Sequence, residues 1–279
     1  MQLIRSIKKI RDFVKQQKKR NRTIGFVPTM GYLHEGHLSL VKQAKKDNDI
    51  SILSIFVNPA QFGPKEDFKK YPRNLKHDIA LAKKANVDVI FYPKVSEIYP
   101  KNYKTHICVE KLTKYLCGRS RPGHFQGVAT IVTKLFNIIM PDVSYFGQKD
   151  AQQAIIIKKM VQDLNMQTKI RIMPIVRAKD GLVLSSRNIY LDKKQRKEAP
   201  ILYKSLREAK SLIKNGQKSA SRIISMIHKI ITRNSSGVID YVSIVDLENL
   251  EPVKIIKNRV LIALAVWFGK TRLIDNIII

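Results

Sequence analysis

Residues 25–41 read GFVPTMGYLHEGHLSLV, and this stretch decides how the rest of the chain is interpreted. An apolar run at residues 23–27 leads into a loop rich in glycine and proline, and a helical pattern of apolar residues begins at Leu38. The loop also carries His34 and His37, three positions apart. Such a stretch is compatible with a metal site, a nucleotide-binding turn or an ordinary corner between a strand and a helix.

The spacing of the two histidines argues against a zinc site. Zinc proteases carry histidines at i and i+4 with a glutamate base, HExxH, whereas this chain has HEGH and no apparent third ligand nearby. Two interpretations stay open. Backbone N–H groups at the start of the helix, together with both imidazoles, would bind a phosphoryl group. Alternatively, the histidines only cap the helix.

Further apolar runs alternate with helical patterns along the first part of the chain. Continuous apolar strands that alternate with helices predict a parallel sheet covered on both faces. We therefore expect an α/β, Rossmann-like domain over residues 1–175. The apolar runs are residues 23–27, 50–57, 87–92, 143–146 and 169–176, and the helical patterns are residues 38–46, 75–85, 128–139 and 151–164.

The pattern changes after about residue 176. Residues 202–214 and 220–232 show helical spacing, whereas residues 239–245 and 260–267 resemble strands joined by polar turns. This change predicts a smaller C-terminal α+β domain over residues 176–279.

Composition indicates a globular protein of the cytoplasm. Of the 279 residues, 44% are hydrophobic and 27% are charged, and the chain has only two cysteines, Cys108 and Cys117, without a CxxC spacing. This usage fits a reduced compartment better than a disulfide framework. No apolar run approaches the roughly 18–20 residues that span a bilayer, so we expect no membrane partner.

The formal net charge is +30, which raises the alternative of nucleic-acid binding. The lysines are scattered through every segment, however, and no stretch alternates them with aromatic residues. We therefore expect no specific nucleic-acid partner. The positive field should still attract anionic substrates in general.

Polar residues suited to binding or catalysis follow the predicted strands. They lie at the edge where ligands bind to open α/β sheets. FVNPAQFG at residues 56–63 carries Gln61, an amide suited to hydroxyl and carboxylate groups, although such amides also cap turns. GRSRPGHFQG at residues 118–127 carries Arg121 and His124, and the forked guanidinium of an arginine suits carboxylate or phosphate groups. The alternative interpretation is that this segment is a mobile surface loop.

Two later loops carry groups suited to a nucleotide. FGQKDAQQ at residues 146–153 offers Lys149 for phosphate and Asp150 for ribose hydroxyls. VRAKDGLVLSSRN at residues 176–188 offers two hydroxyls and a guanidinium for a triphosphate, although a Ser-Ser-Arg triplet also occurs by chance. No GxxxxGK[ST] motif is present, so the chain is not a P-loop enzyme.

The order of these strings resembles one family. PTMGYLHEGH, FVNPAQFG, YPR, GRSRPGHFQGVATIV, FGQKDAQQ, VRAKDGLVLSSRN and TRLIDN occur here in the order found in the pantothenate synthetase (pantoate–β-alanine ligase) family. The resemblance runs from about residue 20 to the end of the chain. HEGH looks like the family's variant of the HIGH signature of nucleotidyltransferases, and SSR takes the place of their KMSKS-type loop.

The resemblance implies a ligase of pantothenate and coenzyme A biosynthesis. Its reaction is the ATP-dependent condensation of (R)-pantoate with β-alanine through a pantoyl adenylate, with release of AMP and pyrophosphate and with Mg²⁺ accompanying the ATP. It also implies a cytoplasmic homodimer, a first domain that binds nucleotide and pantoate, and a C-terminal domain that closes over the ATP site.

The resemblance further implies roles for particular residues. The implied catalytic residues are His34, His37, Lys149, Ser185, Ser186 and Arg187. The implied ATP-binding residues are Met30, Gly31, Tyr32, Leu33, His34, Glu35, Gly36, His37, Gly147, Gln148, Lys149, Asp150, Val176, Leu184, Ser185, Ser186 and Arg187. The implied substrate-binding residues are Gln61, Arg121, His124 and Gln153.

One position departs from the family's pattern. Family members often carry an acidic pair shortly after YPR, in the region implicated in magnesium binding, whereas this chain has His77-Asp78. Because histidine is a poor magnesium ligand, we predict no metal ligand from the protein.

Overall fold

The computed structural model describes residues 1–64 and 66–279. Contacts between these residues divide the chain into two compact units, each built from more than one segment. The predicted domain boundary near residue 175 stays a prediction. The first unit comprises Met1–Glu110, Arg121–Gly147 and Ile156–Pro174, and the second comprises Lys111–Ser120, Gln148–Ile155 and Ile175–Ile279.

A parallel sheet forms the centre of the first unit. Its strands are β1 (Gln2–Ile4), β2 (Ile24–Thr29), β3 (Ile50–Ile55), β4 (Val89–Phe91), β5 (Val143–Gly147) and β6 (Lys169–Met173). Among the described residues they form one six-stranded sheet in the order β1-β4-β3-β2-β5-β6, and every pairing is parallel. Every residue of β3 is buried, as expected for a parallel sheet covered on both faces. The predicted Rossmann-like α/β fold is confirmed.

Helices cover the sheet of the first unit. α1 begins after Ser6, whose side chain accepts a hydrogen bond from Lys9 N, and it buries Ile10 and Val14. The helices up to the C-terminal region are α1 (Ile7–Lys19), α2 (Glu35–Asp47), α3 (Leu75–Lys84), α4 (Val95–Ile98), α5 (Cys117–Ser120), α6 (His124–Ile139) and α7 (Ala151–Asp163). α5 and the first residues of α7 belong to the second unit.

The strand order predicts where a ligand would bind to the first unit. β2 pairs with β3 on one side and with β5 on the other, so the chain order of the strands reverses between β2 and β5. Ligands of open α/β sheets bind beyond the carboxyl ends of the strands at such a reversal. β2 ends at Thr29 and β5 ends at Gly147, immediately before two of the loops predicted to bind ATP.

The second unit packs helices on a small antiparallel sheet, which confirms the predicted α+β character. Its elements from Lys193 onward are α8 (Lys193–Glu198), α9 (Ile201–Lys214), α10 (Ala220–Asn234), β7 (Val238–Asp246), β8 (Val260–Phe268) and β9 (Thr271–Ile278). Its sheet has the order β7-β8-β9 among the described residues. Leu206, Ile227 and Ile262 are fully buried in its core. β1 and β9 were not predicted from the sequence.

None of the helices formed by residues 1–64 and 66–279 has both the length and the apolar character needed to span a membrane.

Candidate active site

The turn between β2 and α2 is fixed by a buried carboxylate. Gly31 has φ 83°, and a Cβ there would lie 2.9 Å from Ile55 Cγ2, so the position requires glycine. Asp78 of α3 accepts hydrogen bonds from Tyr32 N at 2.9 Å and from Leu33 N at 2.7 Å. The conformation of this predicted ATP-binding turn therefore depends on a residue about 45 positions away in sequence.

Both histidines of the turn accept hydrogen bonds from the backbone at the start of α2. His34 is the N-cap and its Nδ1 accepts from Gly36 N at 3.2 Å, while His37 Nδ1 accepts from His34 N at 3.4 Å. Because a backbone N–H only donates, each Nδ1 carries no proton, and the neutral ring carries its proton on Nε2. The capping interpretation is therefore correct for Nδ1.

The two rings form a pair at a site favourable for anions. Their centroids lie 4.0 Å apart. The positive end of the α2 dipole lies at the same place, since His34 is the N-cap of that helix. Two N–H donors at a helix N-terminus are suited to phosphoryl oxygens.

Gln61 contacts the turn from the neighbouring loop. It ends the short 3-10 helix Pro59–Gln61, and its Nε2 donates to Met30 Sδ at 3.4 Å. Its Oε1 accepts from Asn58 Nδ2 at 3.0 Å. Both amides are buried, with Asn58 1% and Gln61 8% exposed. Gln61 is therefore held in place and does not move freely on a surface loop.

Arg121 and His124 hold the backbone of Gln61. His124 Nδ1 lies 2.8 Å from Gln61 O, and because a carbonyl only accepts, Nδ1 carries the proton and donates. His124 Nε2 then accepts from Arg121 Nη1 at 3.0 Å. Arg121 also forms a two-pronged ion pair with Glu66, at 2.7 Å from Nε and 2.6 Å from Nη2. The predicted alternative of a mobile surface loop does not fit this network.

The charge of Arg121 affects the acidity of its partner. Burial alone would raise the pKa of the Glu66 carboxyl, but the hydrogen bonds and positive charge of Arg121 hold that pKa below its ordinary value. Glu66 is therefore ionised at neutral pH, and the ion pair links the loop after β3 to the segment before α6.

In the second unit, Asn276 of β9 fixes the loop that carries Lys149. Asn276 Nδ2 donates to Gln148 O at 2.9 Å and to Lys149 O at 3.0 Å, and Gln148 Nε2 donates to Asn276 Oδ1 at 3.3 Å. Lys149 Nζ lies 3.4 Å from Asp150 Oδ1. The three residues Gln148–Asp150 form a short 3-10 helix in which all are partly accessible.

Asp275, the neighbour of Asn276, fixes the second predicted phosphate loop. Arg177 donates to both of its carboxylate oxygens, at 2.6 and 2.8 Å, and Arg177 Nη1 also donates to Gly181 O at 3.1 Å. Burial raises the pKa of Asp275, and the Arg177 guanidinium opposes that rise. β9 thus positions two loops through two consecutive side chains.

The residues between Val176 and Arg187 form a hairpin-like loop. Leu184 N donates to Val176 O at 3.1 Å. Ser185 then caps the 3-10 helix Ser186–Tyr190, and its Oγ accepts from Arg187 N at 3.3 Å. Ser186 is buried. The Ser-Ser-Arg triplet therefore has a defined local structure.

Gln153 lies half-buried on α7, next to a glutamine with a different role. Gln152 Nε2 donates to Leu112 O and to Tyr115 O, at 2.9 and 2.8 Å. Its Oε1 accepts from Cys117 N at 3.0 Å. Gln152 therefore anchors the segment that contains α5 to α7.

The predicted site residues form two groups, one in each unit. The contacts of the first unit connect the turn at residues 30–37 with Gln61, Arg121 and His124. The contacts of the second unit connect residues 148–150 and the loop at residues 176–187 to β9. Gly147 is the last residue of β5, and Glu35 is exposed at the first position of α2. The roles assigned to all these residues stay predictions.

Sequence reasoning missed the residues that support the site. Glu66, Asn276 and Asp275 were given no role, although the last two lie in the TRLIDN string. Asp78 was considered only in connection with magnesium. Its two oxygens instead accept backbone N–H groups, and it is 1% exposed, with His77 Nδ1 3.4 Å from Oδ1.

These residues do not fit a magnesium ion held by the protein. A carboxylate that is already bonded to two backbone N–H groups and removed from solvent is poorly placed to ligate a hydrated cation. Across residues 1–64 and 66–279, no group of three or more His, Cys, Asp or Glu side chains is arranged to hold a metal ion.

Comparison with known proteins identifies the family of this chain. The family model described as pantoate-beta-alanine ligase matches residues 2–278. The chain belongs to the pantoate–β-alanine ligase family. A pantothenate synthetase from Acetivibrio thermocellus is 57% identical over 279 residues, which cover 100% of this chain and 99% of that protein. The corresponding protein from Fervidobacterium nodosum is 56% identical with the same coverage.

Solved structures agree with this assignment. A pantothenate synthetase from Thermus thermophilus matches with a TM-score of 0.94 at 40% identity, covering 99% of each chain. A pantoate–β-alanine ligase from Francisella tularensis, complexed with beta-gamma ATP and β-alanine, matches with a TM-score of 0.82 at 36% identity, covering 99% of this chain and 97% of that one. The predicted family, its ligase class and its fold are therefore confirmed.

Proposed function

We propose that this ligase condenses (R)-pantoate with β-alanine in two steps, with ATP as co-substrate. In the first step a carboxylate oxygen of pantoate attacks the α-phosphorus of ATP, the bond to the bridging oxygen breaks, and pyrophosphate leaves. In the second step the amine of β-alanine attacks the acyl carbon of pantoyl adenylate, the bond to the phosphate oxygen breaks, AMP leaves, and the nitrogen loses a proton.

One observation carries the proposal: the imidazole rings of His34 and His37 lie together at the start of α2, and each neutral ring has its proton on Nε2. Negative charge on the phosphoryl oxygens is redistributed during an in-line displacement, and donors already in place favour the transition state. His37 is the residue to which the family resemblance assigns the proton-donor role. The ATP complex of the Francisella tularensis relative supports ATP as the nucleotide.

The other predicted residues have matching roles. Lys149 and residues 185–187 hold the phosphates, residues 147–150 border the ribose, and Val176 contacts the adenine side. Gln61 and Gln153 bind pantoate. Arg121 and His124 close over the substrate pocket, and His124 also holds Gln61 through its backbone oxygen. Holding a carboxylate against the α-phosphorus in attack geometry contributes up to about 7–11 kcal/mol to the acceleration.

We further propose that Mg²⁺ reaches the site bound to ATP. The Asp78 carboxylate, which accepts hydrogen bonds from two backbone N–H groups, does not fit an ion held by the protein. We also propose a cytoplasmic homodimer and a C-terminal domain, residues 176–279, that closes over ATP, as the family resemblance implies.

Isotope exchange tests the reaction. We expect labelled pyrophosphate to enter ATP when pantoate is present and β-alanine is absent, and we expect mass spectrometry to find AMP and an amide product once β-alanine is added. Exchange that requires a different acid would overturn the substrate assignment, and a nucleotide-containing final product would overturn the ligase reaction.

Two substitutions at His37 separate chemistry from capping. His37→Ala removes both, and we expect single-turnover adenylation to fall by about 10²–10⁴-fold. His37→Glu restores a side-chain acceptor at the third position of the helix, where glutamate completes a capping box, but a carboxylate has no N–H to donate. It should restore thermal stability but not the rate. A normal rate in His37→Glu would limit His37 to capping.

A further inference from the structure

Tyr99 contacts the amide pair next to the proposed pantoate site. It follows α4 directly, and its hydroxyl donates to Asn58 Oδ1 at 2.8 Å. Burial raises the pKa of the Tyr99 hydroxyl, so the group stays protonated and acts as a donor at neutral pH. No role was assigned to Tyr99 from the sequence.

The contacts of Asn58 leave only one orientation of its amide. Gly127 O lies 3.1 Å from one side-chain atom of Asn58, and because a carbonyl only accepts, that atom is the nitrogen. The other atom is the oxygen, which accepts from Tyr99 at 2.8 Å and from Ala60 N at 3.4 Å. The hydroxyl of Tyr99 is the closer of these two donors.

The orientation of Asn58 determines the orientation of Gln61. Asn58 Nδ2 donates to Gln61, so the Gln61 atom that faces it is Oε1. Gln61 Nε2 therefore lies on the opposite side and donates to Met30 Sδ at 3.4 Å. A thioether is a weak acceptor, and the amide nitrogen has two hydrogens. The amide thus presents a donor, and not its carbonyl, toward the turn at residues 30–37.

We propose that Tyr99 is a positioning residue of the ligase. Its hydroxyl fixes Asn58, Asn58 fixes Gln61, and Gln61 thereby offers N–H groups to the carboxylate or hydroxyl oxygens of the acid substrate. This inference rests on the proposed function in one respect, namely that Gln61 contacts pantoate. The arrangement selects a substrate that presents acceptor atoms at this position.

The neighbouring Tyr103 provides a matched control. Its ring packs edge-on against that of Tyr99, with centroids 4.9 Å apart. Lys134 Nζ lies 4.9 Å from the centroid of the Tyr103 ring and 5.6 Å from that of the Tyr99 ring. Within the described residues, the Tyr103 hydroxyl is buried and has no hydrogen-bond partner. Tyr103→Phe therefore removes the same group from the same aromatic cluster without breaking the chain of hydrogen bonds.

The experiment compares Tyr99→Phe, Tyr103→Phe and Gln61→Ala in pantoate-dependent pyrophosphate exchange. We expect Tyr99→Phe to raise the KM for pantoate about three- to tenfold, the scale of one neutral hydrogen bond, and to leave the KM for ATP within about twofold. Tyr103→Phe should change neither. In the Gln61→Ala background, Tyr99→Phe should have no further effect on the KM for pantoate, because the two residues act through one chain.

Three results would overturn the inference, and they distinguish its failure from failure of the proposed function. If Gln61→Ala raises the KM for pantoate but Tyr99→Phe behaves like Tyr103→Phe, or if the Tyr99→Phe effect persists in full without Gln61, the positioning role alone fails. If Gln61→Ala leaves the KM for pantoate unchanged, the proposed substrate contact of Gln61 fails with it. Thermal denaturation of each variant confirms that the comparison is made on folded enzyme.

Discussion

At the scale of single residues, Asp78 stabilises the turn at residues 30–37, on which ATP binding is proposed to depend. Asp78→Asn replaces one carboxylate oxygen with an NH₂ group, so either Tyr32 N or Leu33 N loses its acceptor in a buried place. We expect the free energy of unfolding to fall by about 1–3 kcal/mol. We also expect a higher KM for ATP, because the turn loosens. Urea denaturation and steady-state kinetics measure the two effects.

The same variant distinguishes support of the turn from metal binding. If Asp78 only supports the turn, the concentration of Mg²⁺ that half-activates the enzyme at saturating ATP stays the same in Asp78→Asn. A shift in that concentration would make Asp78 a ligand and contradict our assignment. Asp12→Asn on α1 is a matched control, since Asp12 is exposed and pairs with Lys8 across the helix surface.

At the scale of elements, the Arg121–Glu66 pair connects the loop after β3 with the segment before α6. The pKa of Glu66 is lowered in the folded protein, so the stability it contributes is present above its ordinary value of 4.5 and is lost as the pH falls through the lower folded value. We expect Glu66→Gln to reduce the free energy of unfolding by about 1 kcal/mol at neutral pH, since the pair is only partly buried. The difference from the unmodified protein should shrink below about pH 4.5.

Urea denaturation at several pH values checks this prediction. The exposed Glu248→Gln substitution serves as the control, and it should have little effect at any pH. A Glu66→Gln difference that is the same at acidic and neutral pH would show that the carboxylate charge contributes nothing. The effect would then belong to the shape of the side chain.

The sequence predicted elements whose signal is local. Residues 50–55 form a continuous apolar run, and every one of them is buried in β3. β1 has only three residues, too few to show a period, and β9 was missed because it contains the polar pair Asp275 and Asn276. Those two side chains are buried, and they bond to residues far away in sequence. The local pattern of β9 therefore could not show that they belong to a buried strand.

The same limit applies to the candidate site. Glycine, histidine and Ser-Ser-Arg strings marked the loops, since their chemistry is visible residue by residue. Their supports were not visible: Arg177 pairs with a carboxylate 98 positions away, and Tyr99 bonds to an amide 41 positions away. Such pairs exist only once the sheets bring the segments together, so no spacing within one segment predicts them.

At the scale of the whole molecule, the net charge of +30 should act on substrate binding through a long-range field. ATP and pantoate are anions, whereas β-alanine is a zwitterion at neutral pH. Salt screens exposed charges, with a Debye length that falls from about 30 Å at 0.01 M to about 10 Å at 0.1 M. We therefore expect the KM for ATP and for pantoate to rise about two- to fivefold between about 0.03 and 0.3 M KCl.

β-Alanine supplies the internal control, because it uses the same enzyme under the same salt but carries no net charge. Its KM should stay nearly constant. An equal rise for all three substrates would mean that salt perturbs the protein itself, and no rise for the anions would mean that the scattered lysines create no field at the site. A titration with duplex DNA extends the argument: inhibition that disappears near physiological salt is the same non-specific attraction, whereas inhibition that persists there would indicate a nucleic-acid partner.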